Sequence, residues 1–120
     1  MHVKHAQSCE PFSSGTGETV WELIGKAVGP NAPQHSFALV EIDPGKSSLN
    51  HFHPVAEESY FILSGQGEMT LGEETQTLNP GDCVHIPPEK NHQIFNRQSE
   101  PLRFIAVCVP PWTPDCSTFV

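Results

Sequence analysis

From Phe37 onward, short runs of β-branched and aromatic residues alternate with turn residues. They read FALVEI then DPG, SYFILS then GQG, EMTL then GEE, TQTL then NPGD, CVHI then PPEKN, HQIF then NRQSEP, and LRFIAVCV then PP. Runs of this length about ten residues apart, with Gly, Pro, Asn or Asp between them, predict an all-β antiparallel sandwich or barrel. No segment keeps a helical period and the sequence contains no internal repeat. Upstream, WELIG adds a short strand, and residues 1–17, ending in FSSGTG, read as a flexible N-terminal arm. The expected organisation is therefore an arm, one β-barrel over residues 18–109, and a tail over residues 110–120. The tail, PPWTPDCSTFV, is stiffened by proline, and its Trp112 and Phe119 are expected to pack on the barrel or on a partner subunit.

In a strand, residues i and i+2 share a face. His51 and His53 therefore point the same way, Glu58 travels with Tyr60 and Ile62, and His92 travels with Ile94 and Asn96. Each polar group thus stands beside apolar residues suited to a barrel interior, which Phe104 joins. The last run, LRFIAVCV, is apolar on both faces apart from Arg103, as suits a strand covered on both sides, a second subunit being one such cover. Cover of that kind would also protect an edge strand from aggregation.

Length and charge narrow the function classes. A chain of 120 residues is one domain. With 37% hydrophobic and 17% charged residues, 12 Pro, 9 Gly and no biased tract, it is globular and turn-rich. Six Lys and Arg against 14 Asp and Glu give a formal net charge of −8, which repels a phosphate backbone or an anionic membrane surface. No nucleic acid and no membrane are expected as partners. The opening MHVKHAQSCE has no apolar signal core and no apolar run approaches bilayer length, so a soluble, cytoplasmic protein is expected. The cysteines form no CxxC pair; Cys83 and Cys108 read as small buried hydrophobes in strands, whereas the state of Cys9 and Cys116 is open.

The candidate chemistry lies in HFHPVAEE, residues 51–58. An HxH pair puts two imidazoles on one strand face, within reach of one ion. By itself the pair reads better as two exposed strand residues than as a metal site. His2 and His5, in the arm, receive no function, and His35 and His85 read as surface or hydrogen-bonded imidazoles.

The surroundings of the pair are more specific. GKSSLNHFHPVAEESYFILSG, residues 45–65, fits G-x5-H-x-H-x4-E-x6-G, and GDCVHIPPEKNHQIFN, residues 81–96, fits G-x5-P-x-G-x2-H-x3-N except that Glu89 stands where the pattern has Gly. These motifs resemble the two motifs of the cupin superfamily. The spacer QGEMTLGEETQTLNP between them is short, which is similar to a minimal single-domain member. The resemblance implies a single small antiparallel β-barrel or double-stranded β-helix jelly roll, commonly a homodimer, with His51, His53, Glu58 and His92 as metal ligands. Glu58 is preferred to Glu57 because it shares parity with Tyr60 and Ile62 and keeps the motif's spacing to Gly65. Glu57 would face the other way.

Three imidazoles and a carboxylate, without thiolate, suit a divalent first-row metal and not a closed structural zinc site. Mn or Fe is favoured; Ni, Co and Zn are compatible with the same donors. An octahedral ion held by four side chains keeps two positions open for water, substrate oxygens or dioxygen. The resemblance implies an enzyme of oxygenase, isomerase or decarboxylase type acting on a small oxygen-chelating metabolite; a non-catalytic sensor or carrier is the alternative. Tyr60 has two readings, a catalytic proton donor or a core tyrosine with a satisfied hydroxyl.

Overall fold

The computed structural model describes residues 1–25 and 31–120. The strands are β1 (Phe12–Ser13), β2 (Glu18–Ile24), β3 (Ser36–Ile42), β4 (His51–Phe52), β5 (Glu57–Ser64), β6 (Gly67–Leu71), β7 (Glu74–Leu78), β8 (Cys83–Ile86), β9 (His92–Phe95), β10 (Leu102–Val109) and β11 (Thr118–Phe119). One 3-10 turn, Ala6–Ser8, is the sole helical element among the described residues. No helix among them is long and apolar enough to cross a membrane.

A six-stranded sheet runs β1-β2-β3-β10-β5-β8 and faces a five-stranded sheet, β11-β4-β9-β6-β7. The chain changes sheet at nearly every turn, which is the winding of a double-stranded β-helix. Among the described residues no ladder joins the two sheets, so the jelly roll is a sandwich and not a closed hydrogen-bonded barrel.

Strand alternation fills the space between the sheets. Ile42, Ile62, Ile86, Ile94, Leu102 and Phe104 are each at most 1% exposed. Register aligns them: Phe104 lies between Val40 and Ile62, and Leu102 opposite Ile42. Full burial of each such side chain stabilises the fold by about 1.5–3 kcal/mol. The interior assignments of Tyr60, Ile62, Ile94 and Phe104 agree with this arrangement, since all four are buried.

Two expectations are corrected. LRFIAVCV is no edge strand: β10 lies inside its sheet between β3 and β5, with Leu102, Phe104 and Cys108 buried on the inner face and Arg103 and Val109 exposed on the outer one. Cys83 is exposed, whereas Cys108 is buried. In β8 the inward parity belongs to Val84 and Ile86, and Cys83 sits opposite the exposed Phe61 on the outer face.

Three motif residues hold the turns that frame the site. Gly65 has φ +81°, and a Cβ there would lie 2.6 Å from the Pro101 carbonyl oxygen, so no larger residue fits after β5. Asn96, 1% exposed, donates from Nδ2 to the Ile42 and Glu100 carbonyls at 3.0 and 2.7 Å, and its Oδ1 accepts from the Gln98 amide at 3.0 Å. It staples the β9–β10 turn to the end of β3.

Glu89 has φ +70°, the left-handed conformation that glycine would supply at this motif position. Its amide donates to the His53 carbonyl at 2.8 Å, which holds the turn in that shape. An L-residue in this region is strained by about 1–2 kcal/mol, whereas glycine is not, though glycine also gains freedom in the unfolded chain. Glu89→Gly is expected to raise unfolding stability by about 1 kcal/mol. Urea denaturation of the two proteins checks this, and a less stable variant would show that the glutamate side chain makes a net favourable contribution.

Candidate metal centre

The register of the smaller sheet brings the imidazoles together. His51 pairs with His92 across the β4–β9 ladder, and the two ring centroids lie 4.2 Å apart. His53 follows on the same face, its ring 5.0 Å from that of His51, and Pro54 withholds the amide that would continue the strand. Glu58 arrives from the opposing sheet, on β5 opposite Cys108 and Ile86, where its parity with Tyr60 and Ile62 turns it inward. One ligand atom from each of His51, His53, Glu58 and His92 lies within 4.8 Å of every other. His53, Glu58 and His92 are buried, and His51 is half-buried.

All three imidazoles are oriented by backbone carbonyls. Nδ1–H of His51 donates to Leu49 O at 2.8 Å, that of His92 to Lys90 O at 3.1 Å, and that of His53 to Cys116 O at 3.2 Å. A carbonyl only accepts, so each Nδ1 carries hydrogen and each Nε2 is left to bind something else. This is the second bond that metal-ligating histidines make, fixing both tautomer and ring direction.

Inside the cluster Glu58 Oε1 accepts from His53 Nε2 at 2.9 Å. His92 Nε2 lies 3.3 Å from the same oxygen, close enough for charge attraction but not aligned for a hydrogen bond, and it is a buried nitrogen without a hydrogen-bond partner. Burial opposes ionisation of Glu58, yet the His53 and His92 imidazoles outweigh it and hold the carboxyl down at about 2. Burial likewise opposes a charge on His53, but the Glu58 hydrogen bond and charge prevail and raise its pKa to about 9. Burial, then the neighbouring His92, push His51 down to about 4.

A divalent ion fits these donors. Ligands about 2.1 Å from an ion are about 3–4 Å from one another, so the widest separations, up to 4.8 Å, would shorten by about 1–2 Å to reach bonding distance. An unpaired buried nitrogen is costly unless something occupies its lone pair. One divalent metal at His51, His53, Glu58 and His92 is the occupant these donors suit.

Beside the cluster opens a cavity of about 110 Å³, whose walls include His51, His53, Glu58 and Tyr60 together with Glu18 and Glu22 of β2. No lysine or arginine is among its described lining residues. Tyr60 is 5% exposed, packs on Phe104 at 4.5 Å between centroids, and its hydroxyl has no hydrogen-bond partner among the described residues. Burial, then the charges of Glu58 and Glu18, push that phenol well above its ordinary range, so it remains protonated. Glu57 and His85 lie outside the centre, both exposed and 3.3 Å from each other. Glu18 and Glu22 carried no signal in the sequence that would assign them to a site.

The end of the chain closes over two ligands. β11 pairs with β4, and Phe119 sits 5.9 Å from the His51 ring. Besides its carbonyl, Cys116 brings Sγ within 3.5 Å of His53 Nδ1, and Ser117 Oγ is 3.3 Å away. Trp112 stacks on Phe12 with centroids 5.5 Å apart, tying the tail to β1.

Sequence and structure comparisons agree with this arrangement. The Cupin domain family pattern matches residues 38–108. An uncharacterized protein of Methanocaldococcus jannaschii is 33% identical over 104 residues, 87% of this chain and 82% of its own. Quercetin 2,3-dioxygenase of Bacillus subtilis is 36% identical over 67 residues, 55% of this chain and 19% of the enzyme. The solved formate complex of Lactobacillus farciminis oxalate decarboxylase superposes with a TM-score of 0.82 at 29% identity, covering 97% of this chain and 35% of that one. The chain thus spans only a fraction of each of these two enzymes.

Proposed function

Because this chain belongs to the cupin domain family, we propose that it holds one Mn or Fe ion at His51, His53, Glu58 and His92 and converts a small oxygen-chelating metabolite there. The observation that carries this reading is the set of three Nδ1–carbonyl bonds that turn three Nε2 atoms toward Glu58. When bound, such an ion supplies Lewis acidity toward a chelating oxygen.

The chain's own residues supply the rest. A cavity of about 110 Å³ admits a compact molecule, since one water's share of the liquid is about 30 Å³. Its walls of Val20, Val40, Phe104 and Ala106 exclude water from that molecule. Tyr60, held protonated, offers a hydroxyl donor to a ligand oxygen. Because no lysine or arginine among the described residues lines the cavity, these residues offer a phosphate no such partner there. The two enzymes similar to this chain act on oxygen-bearing small molecules by dioxygenation and by decarboxylation; those names support the ligand class and leave the reaction open.

The Mn-loaded chain is expected to bind α-hydroxy or α-keto compounds, seen as a change in the Mn electron paramagnetic resonance spectrum, and to convert at least one of them, seen by NMR of the mixture. Spectral change without product would favour the binding-module alternative. An unchanged spectrum across such a panel would sink the ligand class.

A further inference from the structure

Glu18 lies in the metal cavity but outside the metal's donor set. It opens β2 opposite Ile42, an interior residue with no exposure, so its side chain enters the space between the sheets. Val20 and Glu22 follow on the same strand face and line the same cavity. The Glu18 carboxyl has no hydrogen bond and no ion pair with any described residue. A half-buried carboxyl without a partner opposes folding, and no contact of its own offsets that effect. Groups kept in such positions are characteristic of functional sites.

We propose, on the premise that the cavity binds a metal and its ligand as above, that Glu18 is a catalytic residue of this site, exchanging a proton with the carbon next to the carbonyl of an uncharged α-hydroxy carbonyl compound. The ligand class follows from the walls: the carboxyls of Glu18 and Glu22 and a protonated phenol stand beside the donors with no lysine or arginine among the described lining residues, and Lys4, whose charge reaches Glu22, is not one of them. A proton carrier works best when its pKa lies near the working pH. In the metal-free protein burial, then the charge of Glu58, raise Glu18 to about 7, and His92 acts the other way. Glu22, on the same face, is the other acid beside it; burial raises its pKa too.

The step needs no oxidant or reductant. The C–H bond beside the carbonyl breaks, its electron pair forms a C–C double bond, the carbonyl oxygen takes the charge, and the proton passes to a Glu18 carboxylate oxygen. Return of a proton to the same carbon restores the ketone with solvent hydrogen in place of the original. Return to the former carbonyl carbon, with the hydroxyl proton passing from the adjacent oxygen to the former carbonyl oxygen, gives the isomeric aldehyde.

The test uses the Mn-loaded full chain and dihydroxyacetone in D2O, with deuterium uptake followed by NMR, and infrared titration of the metal-free protein as a second readout. Wild type should exchange the carbon-bound hydrogen faster than its metal-free form. Glu18→Gln, at equal metal content, should lose about 100-fold of that rate, and Glu18→Asp should recover part of it. In the infrared, a protonated carboxyl band that disappears as pH rises through about 7 in wild type should be missing from Glu18→Gln. Equal exchange in wild type and Glu18→Gln, no exchange by metal-loaded wild type, or loss of metal from Glu18→Gln would each overturn the assignment. Absence of metal from both proteins would instead remove the premise, and the proposal with it.

Discussion

The His51→Ala, His92→Ala double variant is expected to purify without metal, whereas the unaltered, untagged protein carries close to one Mn or Fe per chain by elemental analysis. Outer hydrogen-bond partners of metal ligands are each worth about 10–100-fold in affinity. Loss of two of the four direct donors exceeds the product of two such losses, a decrease on the order of a thousandfold or more. His51 and His92 face each other across the β4–β9 ladder, so the double change opens one whole side of the site while Glu58 and His53 keep their bond at 2.9 Å. Thermal melting separates lost ligands from lost fold. A metal at about a hundredfold over its Kd stabilises by about 2.7 kcal/mol, so Mn should raise the Tm of the unaltered protein and leave that of the variant unmoved. Metal retained by the variant would show that the ion sits elsewhere, and metal in neither protein after reconstitution would end the metalloprotein reading.

The second large effect is the pH dependence of metal affinity, and its source is His53. In the metal-free protein His53 donates from Nδ1 to Cys116 O and from Nε2 to Glu58 Oε1, so it holds a proton where an ion would need its lone pair. Its pKa is raised to about 9, while His51 is lowered to about 4 and Glu58 to about 2. Between these values His53 is the ligand whose shifted pKa requires the ion to displace a proton.

Metal uptake at pH 7.5 should therefore release about one proton, and the apparent affinity should rise about tenfold per pH unit until it levels near pH 9. The linkage to stability runs the opposite way in the metal-free protein. His53, with its raised pKa, stabilises fully below the unfolded value of about 6.5 and loses that contribution as pH climbs through 9; Glu58, with its lowered pKa, stabilises above about 4.5 and loses it as pH falls toward 2. Calorimetric titration with Mn in buffers of different ionisation heat measures the proton count directly. No proton released at pH 7.5 would mean that His53 is neutral before the ion arrives.

The cluster of His51, His53, Glu58 and His92 was legible in the sequence through the two motifs that resemble the cupin pattern, and local rules account for part of its placement. Two-residue alternation puts His51 with His53, and Glu58 with Tyr60 and Ile62, whatever the sheet does. The choice of Glu58 over Glu57 follows from that parity, and Glu57 does face outward toward His85. Glu89 departs from the motif in residue type, yet the backbone takes the positive φ that the motif requires. Glu18 was not legible. Within ETVWELI, the alternation sets Thr19, Trp21 and Leu23 against Glu18, Val20 and Glu22, and amphipathicity alone would bury the tryptophan face. In the structure both faces are half-buried, and Glu18, Val20 and Glu22 line the cavity because Val20 pairs with the interior Val40, a register set by a distant strand. Cys83 failed for the same reason. Its run, CVHI, is too short for parity to choose a face before the partner β5 is known.

The strap formed by β11 and Cys116 governs when the centre can exist during synthesis. All four donors have been made once His92 is joined to the chain, but β10, the ladder partner of Glu58, and the carbonyl that orients His53 come later. β11, which borders His51, follows both. A chain synthesised only as far as His92 therefore presents four donors without the geometry that gathers them.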